Sequence, residues 1–172
     1  MLIIGIIIIC IVGTLLHFVY EWSHHNKIVA IFAAVNESTW EHIKIGMTPT
    51  ILWSLIYINK PSYIVSLSLS LLTIILVIPI IFYTYTLFTK KAILIVDIIS
   101  FCITITLSQL VFHYFINLNI SSIYTYLSIG LLIIELFCYF TFTYYPFKNF
   151  IFKDPITHKY GLEGHPCKHH KH

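Results

Sequence analysis

"YIVSLSLSLLTIILVIPIIFYTYTLF", residues 63–88, carries no charged side chain and decides the fold. β-Branched residues are frequent in it, which by itself would favour a strand. An apolar run of this length, however, satisfies its backbone hydrogen bonds in lipid only as a helix. Because the run also exceeds the ~20 residues that cross a hydrocarbon core, it predicts a membrane-spanning α-helix.

Similar apolar runs fill most of the chain and are separated by short polar connections, so sequential neighbours should be antiparallel. They are Leu2–Tyr20, Ser38–Ile58, Ala92–Leu118 and Ile123–Phe147. We therefore predict an all-α, polytopic membrane protein with five transmembrane helices. Residues 1–147 form the predicted transmembrane domain, and residues 148–172 form a polar, His-rich cytoplasmic tail, whose end, residues 161–172, is expected to lack fixed structure.

The composition excludes an ordinary soluble domain. Of 172 residues, 58% are hydrophobic and 10% charged, and the mean hydropathy is +0.87. A soluble domain carries about 25% charged residues, so this surface must face lipid. The chain contains no arginine and its lysines form no groove-like patch, which argues against a nucleic-acid partner. The lipid bilayer is the predicted partner.

The lysines also predict an orientation. With five crossings, every lysine except Lys60 lies on the side that holds the C-terminus. Cytoplasmic loops are enriched in Lys and Arg, so we expect the N-terminus outside and the C-terminus in the cytoplasm. The expected location is the bacterial plasma membrane, with multiple passes.

One apolar segment is too short to span. "IVAIFAAV", residues 28–35, lies between the first two predicted helices. It is either a short interfacial helix or a re-entrant piece that dips into the protein. Irregular backbone at membrane depth is tolerated only where protein or a cavity covers it, so the re-entrant form implies a site.

The polar residues are informative because each is costly inside a membrane. His17, Glu21 and His24 have helical i, i+4, i+7 spacing, and "NESTWEH", residues 36–42, begins the second run. Imidazole and carboxylate together are ligands for Zn, Mn or Fe. The sequence predicts a cytoplasmic-side site, with catalytic candidates Glu37 and Glu41 and metal-ligand candidates His17, Glu21, Glu37, Glu41 and His42. Proton relay, a structural hydrogen-bonded network, and a plain capping box at Ser38 and Glu41 remain open alternatives.

A second polar set lies deeper in the later helices: Asp97, Gln109, His113 and Glu135. These residues form either a polar pathway or an interhelical clamp, in which Gln109 or His113 is the expected partner of Glu135. Asp97 lies near the level of the first set as a third carboxylate. The tail residues that could bind a transition metal loosely are His165, Cys167, His169, His170 and His172.

The stretch from residue 17 to residue 53 resembles an uncharacterised family of small bacterial integral-membrane proteins. The resemblance is an H-x3-E pattern at His17 and Glu21, followed by V-N-E-S-x-W-E-H-x-K over residues 35–44. It implies a shared five-helix architecture and assigns no activity. The chain is similar, more distantly, to membrane hydrolases of the alkaline ceramidase type. It lacks their full arrangement of one Ser, one Asp and three His residues.

Three functions follow as hypotheses. The leading one is a membrane metal-binding protein that acts as a metal-dependent hydrolase on a lipid or membrane-proximal substrate, with one Glu as general base. The second is a small transporter or ion-pathway protein, working as a homo-oligomer. The third is an accessory membrane subunit without chemistry, so enzyme activity stays open at this stage.

Overall fold

The computed structural model describes residues 1–165, and all the regular structure there is helical. The helices are α1 (Leu2–Trp22), α2 (Thr39–Ser54), α3 (Tyr63–Thr89), α4 (Leu94–Phe115) and α5 (Ser122–Thr141). Short 3-10 turns lie at Val29–Ile31, Leu55–Tyr57 and Gly161–Gly164. The prediction of an all-α, five-helix protein is confirmed.

Four of the five helices are long and apolar enough to cross a membrane, namely α1, α3, α4 and α5. Their exposed residues are mainly large apolar side chains, as the surface of a multi-pass membrane protein requires. α2 differs, because it has only 16 residues and most of them are buried. With the 3-10 turn that follows, it is about 30 Å long, but protein rather than lipid surrounds it.

Two helix ends differ from the prediction for local reasons. α5 ends at Thr141 instead of Phe147 because Pro146 cannot continue a helix. α1 ends at Trp22, and His24 and His25 follow it with φ of 54° and 61°. The predicted alignment of His24 with His17 and Glu21 is therefore wrong.

The segment 28–35, named here the re-entrant segment after one of its two predicted forms, contains the 3-10 turn Val29–Ile31 and packs along α2. The Ala30 carbonyl accepts a hydrogen bond from Lys44 Nζ (2.7 Å), and the Phe32 carbonyl accepts one from Thr48 Oγ1 (2.9 Å). Ala34 N–H donates to the Leu16 carbonyl of α1. Since Thr48 lies more than two turns into α2, side chains inside the protein satisfy the irregular backbone.

Residues 147–165, here called the C-terminal strap, fold back over the start of α2. Phe152 joins the main hydrophobic core, and Asp154 is fully buried. The expectation of no fixed structure is wrong for Gly161–Gly164, which form a 3-10 turn within the strap. The predicted metal-binding residues Cys167, His169, His170 and His172 lie outside the described residues.

Gly13 sets the approach of α1 to α2. A Cβ at this position would lie 2.6 Å from the Phe101 ring and 3.1 Å from the Ile45 carbonyl oxygen. That carbonyl lacks its usual helical donor because Pro49 has no N–H. The absent side chain therefore lets α1 come close to α2, one turn before His17.

We expect Gly13→Val to separate α1 from α2 and lower stability by about 1–3 kcal/mol, the usual cost of overpacking. Gly130→Val is the matched control, because a Cβ there meets no described atom within 4 Å. Thermal unfolding in detergent is the measurement. Equal melting temperatures for the two variants would contradict the close approach at Gly13.

Candidate metal centre

Three predicted ligands meet where α1 ends and α2 begins: His17, Glu37 and His42. One ligand atom from each lies within 4.8 Å of the other two. Glu37 Oε2 is 3.6 Å from His17 Nε2 and 3.9 Å from His42 Nε2. The two imidazole rings meet edge to face with centroids 5.0 Å apart. The histidines are partly buried, whereas the Glu37 side chain is 44% exposed.

The orientation of His42 suits a metal ligand. Its Nδ1 lies 2.9 Å from the Ser38 carbonyl oxygen, which can only accept, so Nδ1–H is the donor. A neutral His42 then presents the Nε2 lone pair to the Glu37 carboxylate. Two acceptors facing each other repel unless a proton or a cation lies between them. A backbone carbonyl that fixes the far nitrogen is the usual support of a metal-bound histidine.

The distances between the ligand atoms of the triad also fit a bound metal ion. Zinc binds imidazole nitrogen and carboxylate oxygen at about 2.0–2.2 Å, so neighbouring ligand atoms in a tetrahedron are about 3.4 Å apart. The observed 3.6 and 3.9 Å are slightly longer than this and too long for direct hydrogen bonds. His17, Glu37 and His42 could therefore hold a metal ion with only small side-chain movements.

The strap organises the backbone that carries two of these ligands. Asp154 Oδ2 accepts the Glu37 N–H at 3.2 Å, and the Ile151 carbonyl accepts the Trp40 N–H at 3.0 Å. Ser38 makes no side-chain cap bond, so the predicted capping box with Glu41 is wrong. Asn36 Oδ1 accepts the Ser38 N–H at 2.8 Å, so the start of α2 is held by this local acceptor together with strap groups more than one hundred residues away.

Glu41 points away from the triad into a buried ion pair. Its Oε2 lies 2.6 Å from Lys44 Nζ and accepts the Val35 N–H at 2.9 Å. Lys44 also donates to the Ala30 carbonyl and to Thr143 Oγ1, so the ammonium has three acceptors. The two side chains thus tie the re-entrant segment, α2 and the end of α5 together.

Three pockets border the exposed Glu37 carboxylate. The polar pocket, about 50 Å³, is lined by His17, Glu21, Asn36, Glu37 and His165 among others. The apolar pocket, about 40 Å³, lies between α2, α3 and α4 and has Ile78, Phe82 and Phe101 in its wall. The lysine pocket, about 200 Å³, is lined by Thr39, Phe82, Tyr83, Phe150 and Lys153 as well as Glu37.

The remaining site candidates are dispersed. Glu21 lies beside the triad in the polar pocket, and Asp97 borders the apolar pocket. Asp97 accepts a hydrogen bond from Tyr85 OH at 2.5 Å. His113 bonds to Tyr57 OH instead of the expected Glu135. Glu135 and Gln109 are buried on α5 and α4, which pack against α3 rather than extensively against each other.

A model of a family of unknown function, DUF6512, matches residues 1–162. The chain belongs to this family. No curated protein and no solved structure matches it. The DUF6512 match covers all five helices, the triad and most of the strap, so the ligands and the segment that orders them belong to one unit.

Sequence reasoning missed Asp154, Lys44 and Lys153 in this DUF6512 chain. For Lys44 a signal existed, because Glu41 and Lys44 have the i, i+3 spacing of a helical ion pair. No local signal marks Asp154 or Lys153, since their positions near Glu37 depend on the chain folding back.

We expect Asp154→Asn to weaken metal binding by about 10–100-fold, as loss of a supporting hydrogen bond does at metal sites. The new amide would turn either an N–H or a weaker acceptor toward the Glu37 N–H. The carboxylate of Asp154, which also accepts the N–H groups of Ile156 and Thr157, would be lost. Glu163→Gln, an exposed change in the same strap, is the control. Metal titration that gives both variants the same affinity would contradict a positioning role for Asp154.

Proposed function

We propose that this protein is a membrane metalloprotein that holds one divalent transition metal at His17, Glu37 and His42 and acts as a metal-dependent hydrolase. Two histidines and one glutamate are a ligand set of catalytic zinc sites, which keep a fourth position for water or substrate. A metal held there would supply an activated water at neutral pH.

The observation that carries the proposal is that His17 Nε2 and His42 Nε2 converge on one Glu37 carboxylate oxygen, at 3.6 and 3.9 Å, while the Ser38 carbonyl holds the other nitrogen of His42. These separations are longer than direct hydrogen bonds and close to those between the ligand atoms of a bound metal ion. The polar pocket and the apolar pocket both border Glu37, so one carboxylate adjoins a polar space for water and a space lined mainly by hydrophobic side chains. This placement supports hydrolysis of an amphiphile.

Metal analysis of the purified protein tests the proposal. Cys167, His169, His170 and His172 are first replaced by Ala so that the tail cannot contribute. We expect about one equivalent of metal per chain, removed by a chelator and restored by Zn²⁺. Absence of bound metal both as isolated and after reconstitution would refute the metal centre.

A second candidate, an ion or proton pathway, is favoured by one observation. Within residues 1–165, the buried Gln109 Oε1 has no hydrogen-bond partner, and the buried Glu135 carboxyl has the Ser68 hydroxyl beside it without a well-formed hydrogen bond. Unsatisfied polar groups inside a membrane protein mark ion routes. Proteoliposome flux that falls with Glu135→Gln would support this function, and unchanged flux would contradict it.

A further inference from the structure

The lysine pocket and the apolar pocket adjoin at Glu37, one of the proposed metal ligands. Both are bordered by Glu37, Thr39 and Phe82. The lysine pocket adds an ammonium at Lys153 and aromatic walls at Tyr83 and Phe150. One ligand could therefore reach the metal, the ammonium and a hydrophobic surface together.

The charges in this region favour an anion. Among the groups that border the two pockets, a bound divalent metal and Lys153 would together carry three positive charges, against two negative charges on Glu37 and Asp97. Lysine is a common phosphate ligand that acts as a point charge, and divalent metals bind phosphate oxygens. A phosphate group beside Lys153 and the metal would offset the excess of positive charge.

The outer face of the strap suits the headgroup layer of a bilayer. Phe147, Phe150 and Ile156 are each more than 60% exposed, and Tyr145, just before the strap, is 78% exposed. Lys148 and Lys153 lie among these side chains and are exposed. Aromatic residues interspersed with lysines are typical of segments at the membrane interface, where they meet anionic lipid. Lys153 is therefore at a level that lipid phosphates occupy.

We propose that the joined pockets bind a lipid with a terminal phosphate monoester, its phosphate between the metal and Lys153 and its first apolar carbons against Phe82. The inference rests on the proposed metal centre and names its substrate class. The apolar walls distinguish this ligand from free phosphate, and the single ammonium distinguishes it from a zwitterionic lipid.

Calorimetric titration of the full-length, zinc-loaded protein in a non-ionic detergent tests the inference. The probes are dihexanoyl phosphatidic acid, dihexanoyl phosphatidylcholine and glycerol 3-phosphate. We expect phosphatidic acid to bind at least about tenfold more tightly than either other probe. Lys153→Gln should remove most of that preference, whereas Lys148→Gln, which changes an exposed strap lysine that borders neither pocket, should keep it.

Zinc content measured on the same samples separates the two proposals. Bound zinc with equal affinity for the two lipids, or with equal effects of the two lysine substitutions, would overturn the lipid inference alone. Equal binding of glycerol 3-phosphate and phosphatidic acid would overturn the lipid in favour of a soluble phosphate. Lys153-dependent selection of phosphatidic acid without zinc would refute the metal centre and overturn the placement of the phosphate between a metal and Lys153.

Discussion

Glu37→Gln is expected to lower metal affinity by more than about 100-fold while leaving the fold intact. The carboxylate is the only anionic ligand of the proposed triad, and losing a direct ligand should cost more than the 10–100-fold that loss of a supporting group costs. Because the Glu37 side chain is 44% exposed, the melting temperature should change little. His17→Ala and His42→Ala should lose the metal as well.

Glu41→Gln is the matched control, since the sequence makes the two glutamates equivalent candidates. Glu41 faces Lys44 instead of the histidines, so this variant should keep its metal and lose stability. Metal titration and thermal unfolding together separate the two roles. Loss of metal in Glu41→Gln at a temperature where the variant is folded would contradict the assignment of Glu37 as the ligand.

Lys44→Met is expected to have the largest effect on stability. Removing one member of a buried ion pair costs about 3–5 kcal/mol, because the remaining charge has no compensation. Lys44 is 0% exposed, and its ammonium also serves the Ala30 carbonyl and Thr143 Oγ1. The re-entrant segment should loosen first, since one of its carbonyl acceptors loses its donor. Thermal unfolding in detergent measures the loss.

Two control variants test whether the stability lost in Lys44→Met comes from breaking the ion pair with Glu41. Lys60→Met removes an exposed lysine at the opposite end of the bundle and should change stability little. The double variant Glu41→Leu with Lys44→Met should recover part of the loss, because no buried charge is left unpaired. Recovery should stay incomplete since the Val35 N–H then lacks its acceptor. A double variant no more stable than Lys44→Met would contradict the ion-pair explanation.

The fold could be predicted from the sequence because the signal is local. Uninterrupted apolar runs longer than the hydrocarbon core permit only helices, and short connections force neighbours to be antiparallel. The ends of two helices were predicted less accurately, because each depends on one or two residues: Pro146 after α5 and the left-handed His24 after α1. The burial of α2 is a tertiary effect: its length suits a span, but the neighbouring helices and the re-entrant segment cover it.

The site could be predicted only in part. His17, Glu37 and His42 were all among the predicted ligands, since charged residues in an apolar chain stand out. The sequence could not predict that Glu37 faces the histidines and Glu41 pairs with Lys44, because this depends on where the Lys44 side chain points. The strap was missed because its contacts with residues 36–40 are largely hydrogen bonds to backbone groups more than one hundred residues away. Such contacts leave no spacing pattern.

X-ray absorption spectroscopy of the zinc-loaded protein, with Cys167, His169, His170 and His172 replaced by Ala, tests the metal centre most directly. The account predicts a first coordination shell of nitrogen and oxygen at about 2.0–2.1 Å, with outer-shell scattering from two imidazole rings. His42→Ala should reduce that scattering to one ring. A shell of sulfur, a shell of oxygen without imidazole, or a spectrum unchanged by His42→Ala would contradict the proposed site.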